Sequence, residues 1–117
     1  MPVTVLIVDD HATFRMLARR MLEAQGYEVV GEADSGAGAL DAAARLKPAA
    51  VLLDIQLPDL DGFAVTEQLA RGAQPPAVVL VSSRDASSYR RRLGDSRARG
   101  FLAKSELTGA AFATLVG

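Results

Sequence analysis

The sequence predicts an α/β fold, a doubly wound parallel sheet with helices on both faces. Short runs of apolar, largely β-branched residues alternate along the chain with longer segments whose apolar residues recur at helical spacing. Such alternation is typical of parallel sheets with helical crossovers. The central run, 50–54, is apolar until it ends at Asp54, as expected of a strand that is buried on both faces.

The first half of the chain predicts two strands and two helices before this central strand. The β-branched run 3–8 predicts a buried first strand. Segment 11–25 has the i, i+3, i+4 apolar spacing of an amphipathic helix, and Gly26 follows it in a favourable C-cap position. Segment 27–33 predicts a second, less buried strand, and the alanine-rich segment 37–46 predicts a helix that stops before a proline.

The second half continues the alternation. Asp61 predicts the N-cap of a helix over 62–70, and the apolar run 77–81 predicts the fourth strand. The remaining predicted elements are a helix over 85–96, a strand over 100–103 and a closing helix that opens at Lys104-Ser105 and runs to about 116. No repeat, low-complexity tract or linker divides the sequence, so residues 1–117 are expected to form a single domain.

Composition excludes several classes of function. The 117 residues contain no cysteine and only one histidine, His11, which excludes disulfides, thiol catalysis and metal sites built from cysteines or several histidines. A net charge of −1 gives no general reason to expect contact with nucleic acid or an anionic membrane. No apolar run approaches the roughly 20 residues of a transmembrane helix. The start also lacks a basic, apolar signal peptide, so a cytoplasmic protein is expected.

Basic residues are concentrated in one late stretch of the chain, whereas acidic residues dominate the first two thirds. The basic set consists of Arg84, Arg90, Arg91, Arg92, Arg97, Arg99 and Lys104. This distribution has two interpretations, a solvated helix face or a docking surface for an acidic partner.

Polar side chains follow the ends of four predicted strands. Asp9 and Asp10 follow the first, Asp54 ends the third, Ser82 follows the fourth and Lys104 follows the fifth. Because the carboxyl ends of parallel strands lie along one edge of the sheet, we expect these side chains to converge. Three crowded carboxylates repel one another, and Mg²⁺, which prefers oxygen ligands and also takes phosphate oxygens, would remove that conflict. The set predicts a phosphoryl-transfer site whose carboxylate nucleophile forms an aspartyl-phosphate.

Each of these residues also has a simpler interpretation when it is considered alone. Asp10 could cap the first helix, Ser82 or Ser83 could cap the fourth, and Lys104 could be a surface lysine. His11 is expected to be an exposed residue of the first helical turn beside the acids. These separate explanations do not account for polar groups of complementary type at successive strand ends.

Several short motifs carry a resemblance to a known family. They are Asp9-Asp10 after the apolar run 5–8, Asp54 followed by Pro58 and Asp61-Gly62, Ser82, and Gly100-Phe-Leu-Ala-Lys104. With these motifs the sequence resembles a receiver domain of a two-component response regulator over residues 3–116. The resemblance implies a flavodoxin-like five-stranded sheet in the order 2-1-3-4-5. The last motif is similar to receivers of regulators with a helix-turn-helix output domain, and no such output domain is expected in this chain.

The resemblance implies a phospho-acceptor and a metal site. Asp54 would accept a phosphoryl group from a histidine kinase or a histidine phosphotransfer protein in a Mg²⁺-dependent step. Asp10 and Asp54, together with the backbone carbonyl of Gln56, would hold Mg²⁺, and Asp9 would act through bound water. The chain would be no enzyme in the ordinary sense, although self-phosphorylation and autodephosphorylation are expected.

The resemblance also implies how the signal is read. Lys104 would pair with the phosphate and Ser82 would move to hydrogen-bond it. Phe101, otherwise a core aromatic, would turn inward as the switch aromatic. A downstream protein that the sequence does not identify would bind the face built from helix four, strand five and helix five. The protein would be a monomer or a phosphorylation-linked dimer.

Some residues depart from the pattern of the family. Ser82 stands where threonine is more frequent, so it lacks the methyl group that restrains the hydroxyl. Phe101 lacks a phenol hydroxyl, so no hydrogen bond of its own can hold an inward state. Gln56 and Arg84 flank the site and could touch the attacking water or the phosphate, which leaves the lifetime of the phosphorylated state unpredicted.

The alternative function is a protein-interaction module that keeps this fold and signals without phosphate. A haloacid-dehalogenase-like phosphatase is disfavoured, because that chemistry needs a second acid at the position of Gln56. An FMN carrier is disfavoured as well, because Asp9-Asp10 replaces the hydroxyl-rich loop that would bind the cofactor's phosphate.

Overall fold

The structure, a computed structural model, describes residues 2–117 and contains the predicted doubly wound sheet. Five strands lie in the order β2-β1-β3-β4-β5, and every pairing between neighbours is parallel. The strands are β1 (Thr4–Val8), β2 (Glu28–Ala33), β3 (Ala50–Asp54), β4 (Ala77–Ser82) and β5 (Gly100–Ala103). The predicted fold class, strand order and parallel pairing are therefore confirmed.

Five α-helices cover the two faces of this sheet, and none within residues 2–117 is long and apolar enough to cross a bilayer. They are α1 (Ala12–Ala24), α2 (Gly36–Leu46), α3 (Gly62–Ala70), α4 (Arg90–Asp95) and α5 (Gly109–Val116). Helices α1 and α5 pack on one face, and α2, α3 and α4 pack on the other. The predicted placement of helices on both faces is confirmed.

The side chains of the central strands alternate between two separate hydrophobic clusters. Val5, Ile7 and Leu52 belong to the cluster beneath α1 and α5, whereas Leu6 and Leu53 belong to the cluster beneath α2, α3 and α4. Successive residues of a strand point to opposite faces, so each central strand contributes to both cores. Every residue of β3 is buried, as its continuous apolar run predicts.

Polar caps fix the helix ends near the carboxyl edge of the sheet. Asp61 accepts a hydrogen bond from Ala64 N at 2.9 Å and caps α3 as predicted. Ser35 caps α2, and the Asp59 carboxylate also accepts from the first two backbone N–H groups of α2, at 2.7 and 2.9 Å. The loop after β3 is thereby tied to α2 as well as to α3.

The fourth predicted helix, over 85–96, is wrong in extent. A 3₁₀ turn, Ala86–Ser88, comes first, and α4 begins only at Arg90. Between them Tyr89 has φ −127° and ψ 11°, outside the helical range. Ser87 donates to the Asp85 side chain, and such local bonding competes with helix formation. The Tyr89 side chain is buried in the core, and we infer that this burial also favours the break between the two helical segments.

The closing helix begins later than predicted. Residues Lys104–Glu106 form a 3₁₀ turn, and α5 starts at Gly109. The Thr108 hydroxyl accepts from Ala111 N at 3.0 Å and caps the helix. Leu107 is buried in an extended conformation just before this cap, so its burial separates the turn from the helix. The bounds of β3, α3 and β5 are as predicted, and those of the remaining elements apart from α4 and α5 differ from the prediction by one residue at most.

Candidate functional site

The polar residues at the strand ends meet at the carboxyl edge of the sheet. Asp9, Asp54 and Ser82 are all buried there, although each carries a polar side chain. Lys104, in the turn after β5, is only 17% exposed. Asp10 lies beside Asp9 with a more exposed side chain. The predicted convergence of these side chains is thus a feature of the fold.

Asp9 is held by both its backbone and its side chain. Its N–H donates to Ala33 O at 3.0 Å and extends the pairing of β1 with β2. Its Oδ1 accepts from His11 N at 2.8 Å, and its carbonyl accepts from Arg15 at 2.7 Å. Arg15 is itself paired with Glu32 at the end of β2. These contacts leave the Asp9 carboxylate little freedom to turn away from the edge.

Asp54 is positioned by the close packing of α3 against the end of β3. A Cβ atom at Gly62 would lie 2.6 Å from Asp54 O and 2.8 Å from Ile55 Cα, so only glycine fits this approach. Gly62 N donates to Ile55 O at 2.7 Å, and Gln56 N donates to Asp54 Oδ1 at 3.2 Å. The second residue of the Asp61-Gly62 motif therefore allows the helix to abut the strand end.

Lys104 bridges the two buried carboxylates. Its Nζ lies 2.6 Å from Asp9 Oδ2 and 3.4 Å from Asp54 Oδ2. The contact with Asp54 is a hydrogen bond. The contact with Asp9 is a short ion pair, in which the ammonium group faces the buried Oδ2 of Asp9. The ammonium group compensates part of the negative charge of the site.

Burial and mutual charge change the ionisation of this pair. Burial raises the pKa of Asp54, and the neighbouring Asp9 carboxylate raises it further, which outweighs the opposite effect of Lys104. Burial alone would lower the pKa of Lys104, but its contacts with Asp9 and Asp54 raise it above the ordinary lysine value. Lys104 is consequently a fixed cation, and Asp54 is a carboxylate whose charge is incompletely compensated.

The donor set fits a hard divalent cation. Asp9, Asp10, His11 and Asp54 each offer a ligand atom, and these atoms lie within 4.8 Å of one another. Three carboxylates (−3) and one ammonium (+1) leave two negative charges, which one divalent cation would balance. Carboxylate oxygens are the ligands that Mg²⁺ prefers, and the acidic pocket is consistent with Mg²⁺ binding.

The simpler interpretations of the individual residues do not fit their contacts. Helix α1 has no side-chain cap, so Asp10 does not serve as one. The Ser82 hydroxyl accepts from Arg84 N at 3.1 Å and caps no helix. Lys104 is no freely exposed lysine. His11, as expected, is exposed beside the acids, with Nδ1 3.2 Å from Asp9 and 3.1 Å from Asp10.

Two predicted residues make no contact that decides their role. Gln56 is exposed, and its backbone forms an isolated bridge with Asp61 next to the site. The ligation of a metal by its carbonyl stays a prediction. Phe101 is half-buried in β5, and its ring centroid lies 6.2 Å from that of Tyr89. Its turning between two positions also stays a prediction.

Tyr89 is a residue of the site that sequence reasoning missed. Its hydroxyl lies 3.2 Å from Ser82 Oγ in a buried hydrogen bond. A regular helix over 85–96 gives no reason to bring it to the end of β4. The signal in the sequence is that Tyr89 is the one large apolar side chain in the stretch 82–92, since such an aromatic residue usually marks the buried side of a segment.

Sequence comparison finds relatives along most of the chain. A family model described as response regulator receiver domain matches residues 5–112. BvgA of Bordetella pertussis, by name a transcription regulator of virulence factors, is 39% identical over 102 residues, which are 87% of this chain and 49% of BvgA. The response regulator GacA of Pseudomonas aeruginosa is 37% identical over 103 residues, 87% of this chain and 48% of GacA. The chain thus spans about half the length of these relatives.

Solved structures of similar chains have the same fold. The signal receiver domain of NarL from Mycobacterium tuberculosis is 33% identical, with a TM-score of 0.86 over 99% of this chain and 98% of that one. The response regulator domain of CheB from Thermotoga maritima is 28% identical, with a TM-score of 0.79 over 97% and 90% of the two chains. Likeness to both extends over nearly the whole described structure.

Proposed function

The chain belongs to the family of response regulator receiver domains of two-component signalling, and we propose that Asp54 is its phospho-acceptor. One observation carries the proposal: a buried carboxylate at the carboxyl edge has an ammonium group at 3.4 Å and further carboxylates beside it. A structural aspartate would need its charge compensated. Here the compensation is incomplete, which suits a site that takes up a cation and a phosphoryl group.

The donor would be a phosphohistidine of a histidine kinase or of a histidine phosphotransfer protein. An Asp54 oxygen forms the new bond to phosphorus while the bond between phosphorus and the histidine nitrogen breaks. The other ring nitrogen of the phosphohistidine carries a proton, so the imidazole leaves as the neutral base. Mg²⁺ held by Asp10, Asp54 and the Gln56 carbonyl, with Asp9 acting through bound water, would supply positive charge against the phosphoryl oxygens. The phosphoryl group stays on the chain, so the protein is an acceptor whose only turnover is hydrolysis of its own phosphate.

Lys104 and Ser82 would hold the transferred group. The Lys104 ammonium already lies between Asp9 and Asp54, and it would pair with a phosphoryl oxygen as a charge-assisted contact. The Ser82 hydroxyl would donate a hydrogen bond to another phosphoryl oxygen. Both groups act by position and charge, as expected for phosphoryl transfer.

The phosphorylated state would be read by a downstream protein on the face formed by α4, β5 and α5. Three features support this proposal. Strand β5 is one of the two outer strands of the sheet, Phe101 is only half-buried in it, and α4 is a short helix that carries exposed arginines. We assign the whole of 1–117 to one receiver domain.

Mass spectrometry after incubation with acetyl phosphate and Mg²⁺ tests the proposal. The wild-type protein should gain the mass of one phosphoryl group, and Asp54→Asn should gain none. Asp41→Asn, which changes an exposed acid of α2, should be phosphorylated like the wild type and serves as the matched control. A wild-type chain that stays unmodified with acetyl phosphate and with a phosphorylated histidine kinase would contradict the proposal. Partner binding that is unchanged in Asp54→Ala would then favour the phosphate-independent module.

A further inference from the structure

Ser82 has a hydrogen-bond partner that no sequence motif indicates. The Tyr89 hydroxyl lies 3.2 Å from Ser82 Oγ, in a place where Ser82 is fully buried and Tyr89 is 8% exposed. We propose that Tyr89 is a positioning residue whose phenol holds the Ser82 hydroxyl in the unphosphorylated protein and competes with the phosphoryl group for it. This inference rests on the proposed function, because the competition needs a phosphoryl group on Asp54.

The competition follows from the direction in which the serine hydroxyl points, because one rotamer faces Tyr89 and another is needed to face the phosphoryl group. Ser82 Oγ can donate one hydrogen and accept two. Arg84 N occupies one acceptor position at 3.1 Å, and Tyr89 occupies a second position, as donor or acceptor. Serine has no branching methyl group, so its hydroxyl takes the rotamer that its partners favour. The rotamer that reaches Tyr89 cannot serve the phosphoryl group equally well.

Tyr89 and the phosphoryl group that Asp54 would carry lie toward different faces of the sheet. Ser82 follows Val81, which belongs to the cluster beneath α1 and α5, so the Ser82 side chain points toward the other face, where Tyr89 is part of the core. Asp54 pairs in register with Val81 and therefore points to the face of α1 and α5. A hydroxyl turned toward Tyr89 must turn toward the sheet edge to meet a phosphoryl group on Asp54.

When the Ser82 hydroxyl turns toward the phosphoryl group, the buried Tyr89 hydroxyl loses this hydrogen bond, which is unfavourable. The Tyr89 ring lies between Phe63 and Phe101, with centroid distances of 6.0 and 6.2 Å. Its backbone forms the break between the 3₁₀ turn and α4. A shift of this ring toward solvent would be transmitted to Phe101 and to the start of α4, both on the proposed output face.

The rate of phosphorylation by acetyl phosphate tests the competition. Tyr89→Phe keeps the ring and removes only the hydroxyl, so it should speed phosphorylation about fivefold, the effect of one neutral hydrogen bond. In a Ser82→Ala background the same change should have no effect, because the hydroxyl for which Tyr89 competes is gone. Tyr27→Phe, on the opposite face against Phe112, is the control and should leave the rate unchanged.

An unchanged or slower rate in Tyr89→Phe would overturn the inference, and so would an acceleration that persists without the Ser82 hydroxyl. Far-ultraviolet circular dichroism of each variant checks that it is folded. If the Tyr89 hydroxyl had a purely structural role, Tyr89→Phe would lower the stability of the protein, and its effect on the rate would not depend on Ser82.

Tyrosine emission gives a second, independent readout. The chain has no tryptophan and two tyrosines, so Tyr89 is the only emitter of this kind in Tyr27→Phe. Its emission should change when acetyl phosphate and Mg²⁺ are added. Asp54→Asn should abolish that change, and Ser82→Ala should produce a changed emission before any phosphate is added.

The two proposals fail in different ways. Phosphorylation of Asp54 detected by mass, with Tyr89 emission unchanged, would overturn only the role of Tyr89. The absence of any phosphorylation of the wild type would overturn both the phospho-acceptor function and the competition that depends on it.

Discussion

At the scale of single residues, the buried charge of Asp54 lowers the stability of the folded chain. The pKa of Asp54 is raised by burial and by Asp9, so the ionised carboxylate is less favourable in the folded chain than in the unfolded one. A group with a raised folded pKa contributes its full stability below its unfolded pKa, here about 3.8, and loses that contribution as the pH rises through the folded value. At neutral pH the Asp54 charge therefore destabilises the fold.

Asp54→Asn should accordingly unfold at a higher temperature than the wild type at pH 7 in the absence of divalent cations. The difference should shrink as the pH falls through the raised folded pKa of Asp54 toward the unfolded value of 3.8, because Asp54 of the wild type takes up its proton over that range. Thermal denaturation at a series of pH values measures it. Asp41→Asn should show no comparable gain, because that carboxylate is exposed. A less stable Asp54→Asn at pH 7 would mean that Lys104 compensates the charge fully.

Single residues also show how much of the site could be predicted from the sequence. Asp9, Asp54, Ser82 and Lys104 could be predicted to meet because each follows a strand, and parallel topology brings strand ends together. Tyr89 could not, because its position depends on a break in a segment whose residues allow a helix. Sequence spacing predicts contacts within regular elements and says little about irregular ones.

At the scale of elements, the junction of β3 and α3 depends on Gly62. Gly62→Ala would place Cβ against the backbone of Asp54 and Ile55 at 2.6–2.8 Å, and a backbone cannot yield as a side-chain tip can. We expect a loss of about 1–3 kcal/mol in the free energy of unfolding, together with slower phosphorylation because Asp54 is displaced. Urea denaturation and the acetyl phosphate assay measure the two effects.

Gly94→Ala is the matched control. Gly94 lies in α4, and a Cβ atom there would meet nothing within 4 Å. Alanine should therefore stabilise the protein by about 0.5–1 kcal/mol through helix propensity. Equal losses at the two glycines would refute the close approach of α3 to β3 as the cause.

The elements that were predicted well have strong local signals. Helix α3 begins and ends where Asp61 and the apolar spacing predict, because a capping aspartate and a buried face agree. Helices α4 and α5 were predicted too long. In both, the burial of one side chain, Tyr89 or Leu107, replaces the first helical turn with a 3₁₀ turn, and this tertiary effect is invisible in a local pattern.

At the scale of the whole molecule, a bound cation should link the site to global stability. Any ligand that binds only the folded state stabilises it, by about 1.4 kcal/mol at ten times its dissociation constant. Mg²⁺ should therefore raise the melting temperature by a few degrees, whereas NaCl at equal ionic strength should not. Asp10→Asn, which removes one carboxylate of the acidic pocket, should lose most of this gain. An equal gain in that variant would place the cation elsewhere.

The alternation of strands and helices was enough to predict the class of the fold, and the resemblance supplied the strand order. That order makes β1 and β3 neighbours, so Asp9 and Asp54 end adjacent strands. Alternation alone does not say which strands are neighbours, because several orders bury the same apolar runs.

The division of the interior into two hydrophobic clusters has a consequence for how a disturbance spreads. The sheet separates the layer of α1 and α5 from the layer of α2, α3 and α4, since each strand residue packs in only one of them. At the carboxyl edge the two layers come together, because Asp54 belongs to one side and Ser82 to the other. A single chemical group bound there would contact residues from both layers, so its arrival or departure would change the packing on both faces of the sheet at once.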